Sequence, residues 1–86
     1  MARKGEIREA VKRALWVMRG EGFQLCFLHR EGGSARLRCV PSDLIAGADS
    51  WAVHLLDGSS IPYHRIYEIR DHSGRPVWKR GEGWIG

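Results

Sequence analysis

The segment from Ile61 to Ile66 places an imidazole and a guanidinium side by side, at His64 and Arg65, between apolar residues. Its proline has no N–H to donate to a sheet, so the segment predicts a turn or an edge that leads into a strand beginning near Ile66. Such a turn would present His64 and Arg65 to solvent. The imidazole gains or loses a proton near neutral pH, whereas the guanidinium keeps its charge, and both donate hydrogen bonds. Such a pair of donors suits a phosphate-bearing ligand. A turn whose polar tips are only solvated is an equally good interpretation of these six residues.

The charge of the chain also favours an anionic partner. Fourteen basic residues stand against ten acidic ones, which gives a net charge of +4, and eleven of the fourteen are arginine. Arginine offers a planar fork that binds phosphate bidentately. A GC-rich genome or a thermophilic organism would enrich arginine without any ligand, so both explanations stay open at this point.

Length and composition predict one domain over residues 1–86 with a single core. No apolar run is long enough for a membrane helix, and the charged N-terminal residues lack an apolar stretch with a cleavage site, so we expect a cytoplasmic protein without a membrane partner. Cys26 and Cys39 form neither a disulfide framework nor a CxxC motif, and we interpret them as small apolar residues. Cys26 and His29 lack the second pair that a zinc site needs, so we expect neither a metal nor a cofactor.

Residues 6–18 carry apolar side chains at helical spacing and predict the one long helix, with Trp16 off the apolar stripe. Residues 23–40 predict a hairpin whose loop is Gly32-Gly33. This register places one apolar set on a face that we expect to be core: Cys26 with Cys39 and Leu28 with Leu37. The opposite face would combine groups that stack bases and bind phosphates: Phe27 with Arg38 and His29 with Arg36.

The rest of the chain predicts a helical turn near Ser42, a strand over 51–56, a second hairpin over 66–80 and a loosely held tail over 81–86. In the second hairpin, Ser73-Gly74 as the loop opposes Ile69 to Trp78 and Glu68 to Lys79. We interpret His54 in the short strand as a hydrogen-bonded structural residue. The sum is an α+β fold, in which one N-terminal helix packs on about five short antiparallel strands that form a curled sheet or a small partly open barrel.

Four histidines raise the alternative of an enzyme, a phosphodiesterase or nuclease that uses one histidine as acid and another as base. No histidine lies in the His-x-Thr or His-x-Ser pattern typical of two-histidine phosphoesterases. The sequence also lacks a glycine-rich phosphate loop, a nucleophile motif and a carboxylate pair. Because spatial constellations are invisible in a sequence, an enzyme remains an alternative to a non-catalytic domain.

Several elements in this order resemble a small, largely archaeal family proposed to recognise RNA ends that bear a cyclic phosphate. The resemblance spans about residues 5–80 and is carried by a helix ending in Trp16, a strand ending in His29-Arg30, a turn at Ser42-Asp43-Leu44-Ile45, the Ile61-Pro62-Tyr63-His64-Arg65-Ile66 segment and Gly74-Arg75-Pro76-Val77-Trp78. It implies a non-catalytic domain that recognises RNA 3′ ends, including 2′,3′-cyclic phosphate ends, in RNA processing or repair. RNA and RNA-processing enzymes would be its partners.

The same resemblance implies the site. Its phosphate-binding residues would be His29, Arg30, Arg36, Arg38, His64 and Arg65. Arg30 and Arg65 would hold phosphate oxygens, the two histidines would donate to the cyclic phosphate or a sugar hydroxyl, and Arg36 and Arg38 would line the approach of the upstream backbone. Tyr63 or Phe27 would stack a terminal base. Two alternatives remain: Arg30 pairs with a carboxylate, or the protein is an interaction module that binds a partner through its sheet edge.

Overall fold

The computed structural model describes residues 4–85, in which one helix precedes eight strands arranged in two antiparallel sheets, neither of them closed. The elements are α1 (Lys4–Val17), β1 (Phe23–Glu31), β2 (Ser34–Pro41), β3 (Ile45–Ala48), β4 (Ala52–Leu55), β5 (Ser60–Pro62), β6 (Ile66–Asp71), β7 (Pro76–Lys79) and β8 (Gly83–Trp84), with 3-10 turns at Ser42–Leu44 and Tyr63–Arg65. The large sheet has the order β2-β1-β6-β7-β8 and the small sheet the order β3-β4-β5. The α+β class is confirmed, but the five-strand estimate was too low.

Helix α1 packs its apolar stripe on the second 3-10 turn and on β6. Ile7, Val11 and Ala14 of this stripe are buried, as the helical spacing predicts. Trp16 is 88% exposed, because it points away from the stripe and no second layer covers it within residues 4–85. In the same part of the chain, no helix has the length and apolar character needed to cross a membrane.

The register of the first hairpin is confirmed, whereas the predicted core face is confirmed at Cys26, which is fully buried, and is wrong at Leu37. The observed pairs are those predicted: Cys26 with Cys39, Phe27 with Arg38, Leu28 with Leu37 and His29 with Arg36. However, Phe23 and Leu25 lie in the core and Phe27 packs against it, while Leu37 is 39% exposed. Both faces of β1 carry apolar residues, and α1 covers the one that starts at Phe23. We call this side the inner face, and the side of Cys26 and Leu28 the outer face.

The two cysteines are joined by a disulfide on the outer face, which corrects their interpretation as separate apolar residues. They stand directly opposite each other in β1 and β2, with their Cα atoms 4.0 Å apart. Directly opposed residues of antiparallel strands approach to about 4.5 Å at the closest positions, so the register itself brings the two sulfurs together. The bond fixes β2, an edge strand, to the strand beside it.

Strand β1 extends beyond its partner β6. The pairing of β1 with β6 ends where Phe27 lies opposite Ile66, whereas the pairing of β1 with β2 continues to Glu31. The part of the hairpin over residues 28–37 therefore projects past β6, and we call it the hairpin tip. The 3-10 turn Tyr63–Arg65 immediately precedes Ile66, so it lies beside this tip.

The C-terminal residues are more ordered than predicted. The second hairpin has the two predicted pairs, Glu68 opposite Lys79 and Ile69 opposite Trp78. Its register shifts after Ile69 and places Arg70 opposite Pro76, so the predicted two-residue loop is wrong. After it, Gly83–Trp84 pairs with β7, and the Arg13 guanidinium lies 4.8 Å from the centre of the Trp84 ring. The prediction of a loosely held tail is thus wrong for residues 81–85, because strand pairing holds Gly83–Trp84 to β7 and a cation–π contact holds Trp84 to α1. Gly86 lies outside the described residues.

Two further corrections concern short strands. The helical turn near Ser42 ends at Leu44, and the residues after it form β3 rather than continuing the turn. The strand predicted over 51–56 is Ala52–Leu55, and it pairs on both sides, with β3 and with β5. Elements of three or four residues contain too few positions for a period of two to be recognised.

Loss of the disulfide should destabilise the protein. The two cysteines are 13 residues apart. Closing a loop of about 15 residues reduces the entropy of the unfolded chain, which stabilises the folded state by about 3 kcal/mol at 25 °C. We expect the Cys26→Ala/Cys39→Ala double variant to lose about 2–4 kcal/mol of unfolding free energy in urea titrations. A dithiol reductant should produce a similar loss in the wild type and none in the double variant. Equal stability of the wild type with and without reductant would contradict the prediction.

Candidate nucleic-acid interface

Two clefts lie on opposite faces of the hairpin, and one arginine lines both. The inner cleft, of about 390 Å³, opens between the inner face of β1 and β2 and the small sheet. The outer cleft, of about 410 Å³, lies between the outer face of the tip and the turn Tyr63–Arg65. Arg65 contributes to both walls, because it sits at the point where the pairing of β1 with β6 has ended.

The outer cleft is cationic. Its lining residues are Leu28, Arg30, Ala35, His64, Arg65 and Arg80. No carboxylate is among them, and within residues 4–85 neither Arg30 nor Arg65 takes part in an ion pair or a side-chain hydrogen bond. The alternative that Arg30 is neutralised by a carboxylate is therefore not observed. Two guanidinium groups with unused donors, beside an exposed imidazole, form a surface suited to phosphate oxygens.

Arg80 positions this surface and was missed by the sequence analysis. Its Nε donates to the carbonyl oxygen of Ile66 at 3.0 Å, and its terminal nitrogen donates to the carbonyl oxygens of Ile66 and His64. The backbone N–H of Arg80 also donates to the backbone carbonyl oxygen of Tyr67, at 2.9 Å. These bonds hold the end of the turn that carries Arg65. The register of the second hairpin contained this information, since one more pair beyond Glu68 and Lys79 places Arg80 beside Tyr67.

The inner cleft has an apolar floor and a polar rim. The floor is lined by Phe27, Cys39, Val40, Leu44, Leu55, Ile61 and Pro62, and the rim by His29, Arg38, Asp57, Ser59, Ser60 and Arg65. Asp57 accepts hydrogen bonds from the hydroxyl of Ser59 at 2.6 Å and from its backbone N–H at 2.8 Å. These bonds lower the pKa of Asp57 and keep its carboxylate ionised. The rim thus combines fixed positive and negative groups around an apolar surface.

The predicted site residues divide between the two clefts rather than meeting in one. His29 lines the inner cleft, with its Nε2 3.7 Å from a Glu31 carboxylate oxygen, whereas Arg30 and His64 line the outer cleft. Consecutive residues of a strand point to opposite faces, so His29 and Arg30 cannot share one. Arg65 is the residue that connects the two groups.

The remaining predicted residues have different positions. Arg38 and Phe27 line the inner cleft, while Arg36 is exposed on the same face without lining either cleft. Tyr63 is 1% exposed and donates its hydroxyl to the carbonyl of Asp49, so its predicted role as a stacking surface is wrong. A 3-10 turn has three residues per turn, which points Tyr63 and Ile66 inward together and leaves the two residues between them outside.

One hydrogen-bonded chain resembles a catalytic arrangement and ends at the rim of the inner cleft. His54 Nε2 lies 2.6 Å from an Asp49 carboxylate oxygen, and His54 Nδ1 lies 2.9 Å from the Ser60 hydroxyl. Ser60 lines the inner cleft, whereas Asp49 and His54 line neither cleft. His54 and Ser60 are directly paired across β4 and β5, so the chain ties the two strands to the preceding turn. The hydrogen bonding predicted for His54 is confirmed, and no third metal-type ligand joins Asp49 and His54 within residues 4–85.

Comparisons with known proteins place the chain in a family. Residues 5–80 match the family described as MJ1316 RNA cyclic group end recognition domain, and the chain belongs to that family. A UPF0248 protein of the archaeon Aeropyrum pernix is 44% identical over 86 residues, which cover 96% of this chain and 86% of that protein. A UPF0248 protein of Metallosphaera sedula is 31% identical over 75 residues, 86% of this chain and 91% of that protein. No solved structure gives a significant match.

The free energy of unfolding should decrease in acid as Asp49 becomes protonated. The hydrogen bond from His54, followed by those from the backbone N–H groups of Trp51 and Ala52, lowers the pKa of Asp49 from 3.8 to about 2. A depressed pKa in the folded state stabilises the protein above the unfolded value, and this contribution is lost as the pH falls from 3.8 through about 2. We expect the Asp49→Asn variant to show a flatter dependence of the urea midpoint on pH in this range.

The control for this prediction is Asp43→Asn. Asp43 is exposed, and the 3-10 turn that contains it has no side-chain capping hydrogen bond. Removing its charge should therefore leave the pH dependence of the urea midpoint close to that of the wild type. Identical acid dependence of the Asp49→Asn variant and the wild type would show that the Asp49 contacts do not contribute.

Proposed function

We propose that this protein is a non-catalytic RNA-binding domain that recognises RNA 3′ ends, with the terminal phosphate in the outer cleft. The observation that carries the proposal is the meeting of Arg30, His64 and Arg65 in a cleft without a carboxylate. The description of the family, which names RNA cyclic group ends, supports the same ligand. Guanidinium groups stay charged at every physiological pH, so the cleft would bind phosphate without depending on protonation of His64.

The geometry favours recognition of the end over recognition of a continuous strand. The outer cleft lies against the projecting tip and is bounded by the turn that Arg80 holds in place, so it offers a site of limited size instead of a long groove. A 2′,3′-cyclic phosphate carries less charge than a terminal monoester. A preference for it would therefore come from the fit of the five-membered ring and from the directions of the donors. Upstream phosphates would contact Arg36 on the other face.

A protein-interaction module is the second candidate, favoured by the position of β2 at the edge of the large sheet. Its residues 34–38 are exposed, and an extended peptide could pair with them. Two arginines, Arg36 and Arg38, lie on this strand, and charged residues on an edge oppose pairing with another strand. We therefore favour RNA, with RNA-processing enzymes as partners in the cytoplasm.

Binding of a short labelled RNA should depend on both salt and the chemistry of its 3′ end. The logarithm of the association constant should fall with the logarithm of salt concentration by roughly 0.7 per phosphate contacted. We expect otherwise identical RNAs ending in cyclic phosphate, linear phosphate and hydroxyl to rank in that order, with about tenfold between the first and the last, equivalent to about 1.4 kcal/mol. Fluorescence anisotropy measures all three affinities.

Two outcomes would contradict this proposal. Equal affinity for the three ends would remove end recognition, and binding that is insensitive to salt would remove phosphate contact. Conversion of the cyclic end to a linear phosphate during the assay would instead show an enzyme.

Replacing Arg65 should weaken RNA binding much more than replacing a matched arginine elsewhere. A hydrogen bond to a charged group contributes about 1.5–3 kcal/mol, so we expect Arg65→Ala to lower the affinity for the cyclic-phosphate RNA by about tenfold or more. Arg75→Ala removes the same charge at the other end of β6, where the Arg75 backbone N–H donates to Asp71. Equal losses in the two variants would show that only the net charge matters.

A further inference from the structure

We propose that the inner cleft holds the terminal nucleobase of the RNA, while the outer cleft holds the phosphate of the same nucleotide. This inference rests on the proposed function and extends it, because it assigns the base to a defined site. It follows from Arg65, which lines both clefts. The two clefts are therefore no further apart than the span of one arginine residue, a separation comparable to that between the base and the phosphate of one nucleotide.

The size and the floor of the inner cleft suit a planar aromatic ligand. Its volume of about 390 Å³ is within the range of about 300–1,000 Å³ typical of small-molecule sites. Phe27 and Val40 approach from the large sheet and Leu55 and Ile61 from the small sheet, so both sheets supply apolar atoms. Part of this apolar surface contacts water when the cleft is empty, and a base that covers it would remove that unfavourable contact.

The rim supplies groups for the polar edge of a base. One oxygen of Asp57 accepts both bonds from Ser59, which leaves the other oxygen as an acceptor for a base amino group. On the facing wall, the Arg38 guanidinium has no hydrogen bond or ion pair within residues 4–85, so its donors are available to a base carbonyl or ring nitrogen. The Arg38 donors and the Asp57 acceptor thus lie on opposite sides of an apolar floor. This pattern complements a nucleobase, which has an apolar face and both donors and acceptors along its edge.

The polar groups of the rim are already held in place. The bonds between Asp57 and Ser59 fix the turn between β4 and β5, and the hydroxyl of Ser60 is held by His54. A base would therefore meet a rim that needs little reorganisation, which reduces the entropic cost of binding. The Asp49–His54–Ser60 chain gains a role in this arrangement, because it holds the strand that forms one wall of the cleft.

The charge of the rim favours a nucleotide over an apolar peptide side chain. Arg38, Arg65 and His29 surround the cleft, against the single carboxylate of Asp57. Such a surface attracts an anionic chain and would place the sugar and phosphate of the nucleotide at the cationic side. The floor would then bind the base by stacking and apolar contact, as single-stranded RNA is bound elsewhere.

The test compares two RNAs that share a cyclic-phosphate end and differ only in the last nucleotide, which carries a base in one and is abasic in the other. The base pocket predicts about tenfold weaker binding of the abasic RNA to the wild type, since stacking of one base on an aromatic side chain changes affinity by this order. The Phe27→Leu variant should bind the RNA with the base more weakly and the abasic RNA unchanged. Phe23→Leu is the control, because Phe23 lies on the same face of β1 outside the inner cleft.

A measurement on the unmodified protein guards against a variant that fails to fold. Titration with a nucleoside 2′,3′-cyclic monophosphate should shift the backbone amide resonances of Val40, Leu44 and Ser60, which line the inner cleft. Shifts confined to the outer cleft would overturn the base pocket.

The outcomes separate the two proposals. End-selective, salt-dependent binding with equal affinity for the base-bearing and abasic RNAs would refute the base pocket and leave the proposed function intact. Absence of binding to both RNAs would overturn both proposals. Tighter binding of the RNA with the base, lost in Phe27→Leu and kept in Phe23→Leu, supports the pocket.

Discussion

The unequal length of two strand pairings determines the shape of the candidate interface. β1 pairs with β6 only up to Phe27, but it continues with β2 as far as Glu31. The hairpin tip therefore has two accessible faces, and neither of its two edges has a sheet neighbour. Had β6 been longer, a strand would occupy the space in which the turn with Arg65 now lies, and the two clefts would be separated. A difference of a few residues in pairing thus creates the site.

The turn that carries Arg65 is fixed from two sides. On the inside, the buried Tyr63 ring packs in the core and its hydroxyl reaches the carbonyl of Asp49, next to the small sheet. On the outside, Arg80 donates to the carbonyl of Ile66 from the end of the second hairpin. The position of Arg65 consequently depends on both sheets at once. Residues far from either cleft can alter the site by moving one of these supports.

The fold was predictable where a pattern is long and one-sided. The helical stripe of α1, the register of the first hairpin and two pairs of the second follow from spacing and turn glycines alone. The core face of β1 does not, because Phe23, Leu25 and Phe27 compete with Cys26 and Leu28 for the same interior, and only the placement of α1 decides between them. The strands β3, β5 and β8 are too short to show a period. The disulfide was within reach, since the predicted register already set the two cysteines opposite each other.

The residue types of the candidate site were readable in the sequence, but their arrangement was only partly so. That His29 and Arg30 must separate follows from the alternation of a strand and required no structure. That Arg65 would reach both faces depends on where β6 begins relative to Phe27, a tertiary relation that no local pattern encodes. The inward direction of Tyr63 likewise depends on the 3-10 turn, which the proline before it suggested only as an unspecified turn.

The disulfide divides the hairpin into two parts with different dynamics. Up to Phe27, the strands are held by the core and by β6, whereas beyond it the tip pairs with no strand outside its own ladder. Fraying can therefore begin at the glycine loop and travel down to the covalent link, where it must stop. Amide protons in residues 29–36 would exchange with solvent through such local opening, while those of the core would exchange only when the whole domain unfolds. The segment that carries His29 and Arg30 is thus free to adapt without endangering the fold.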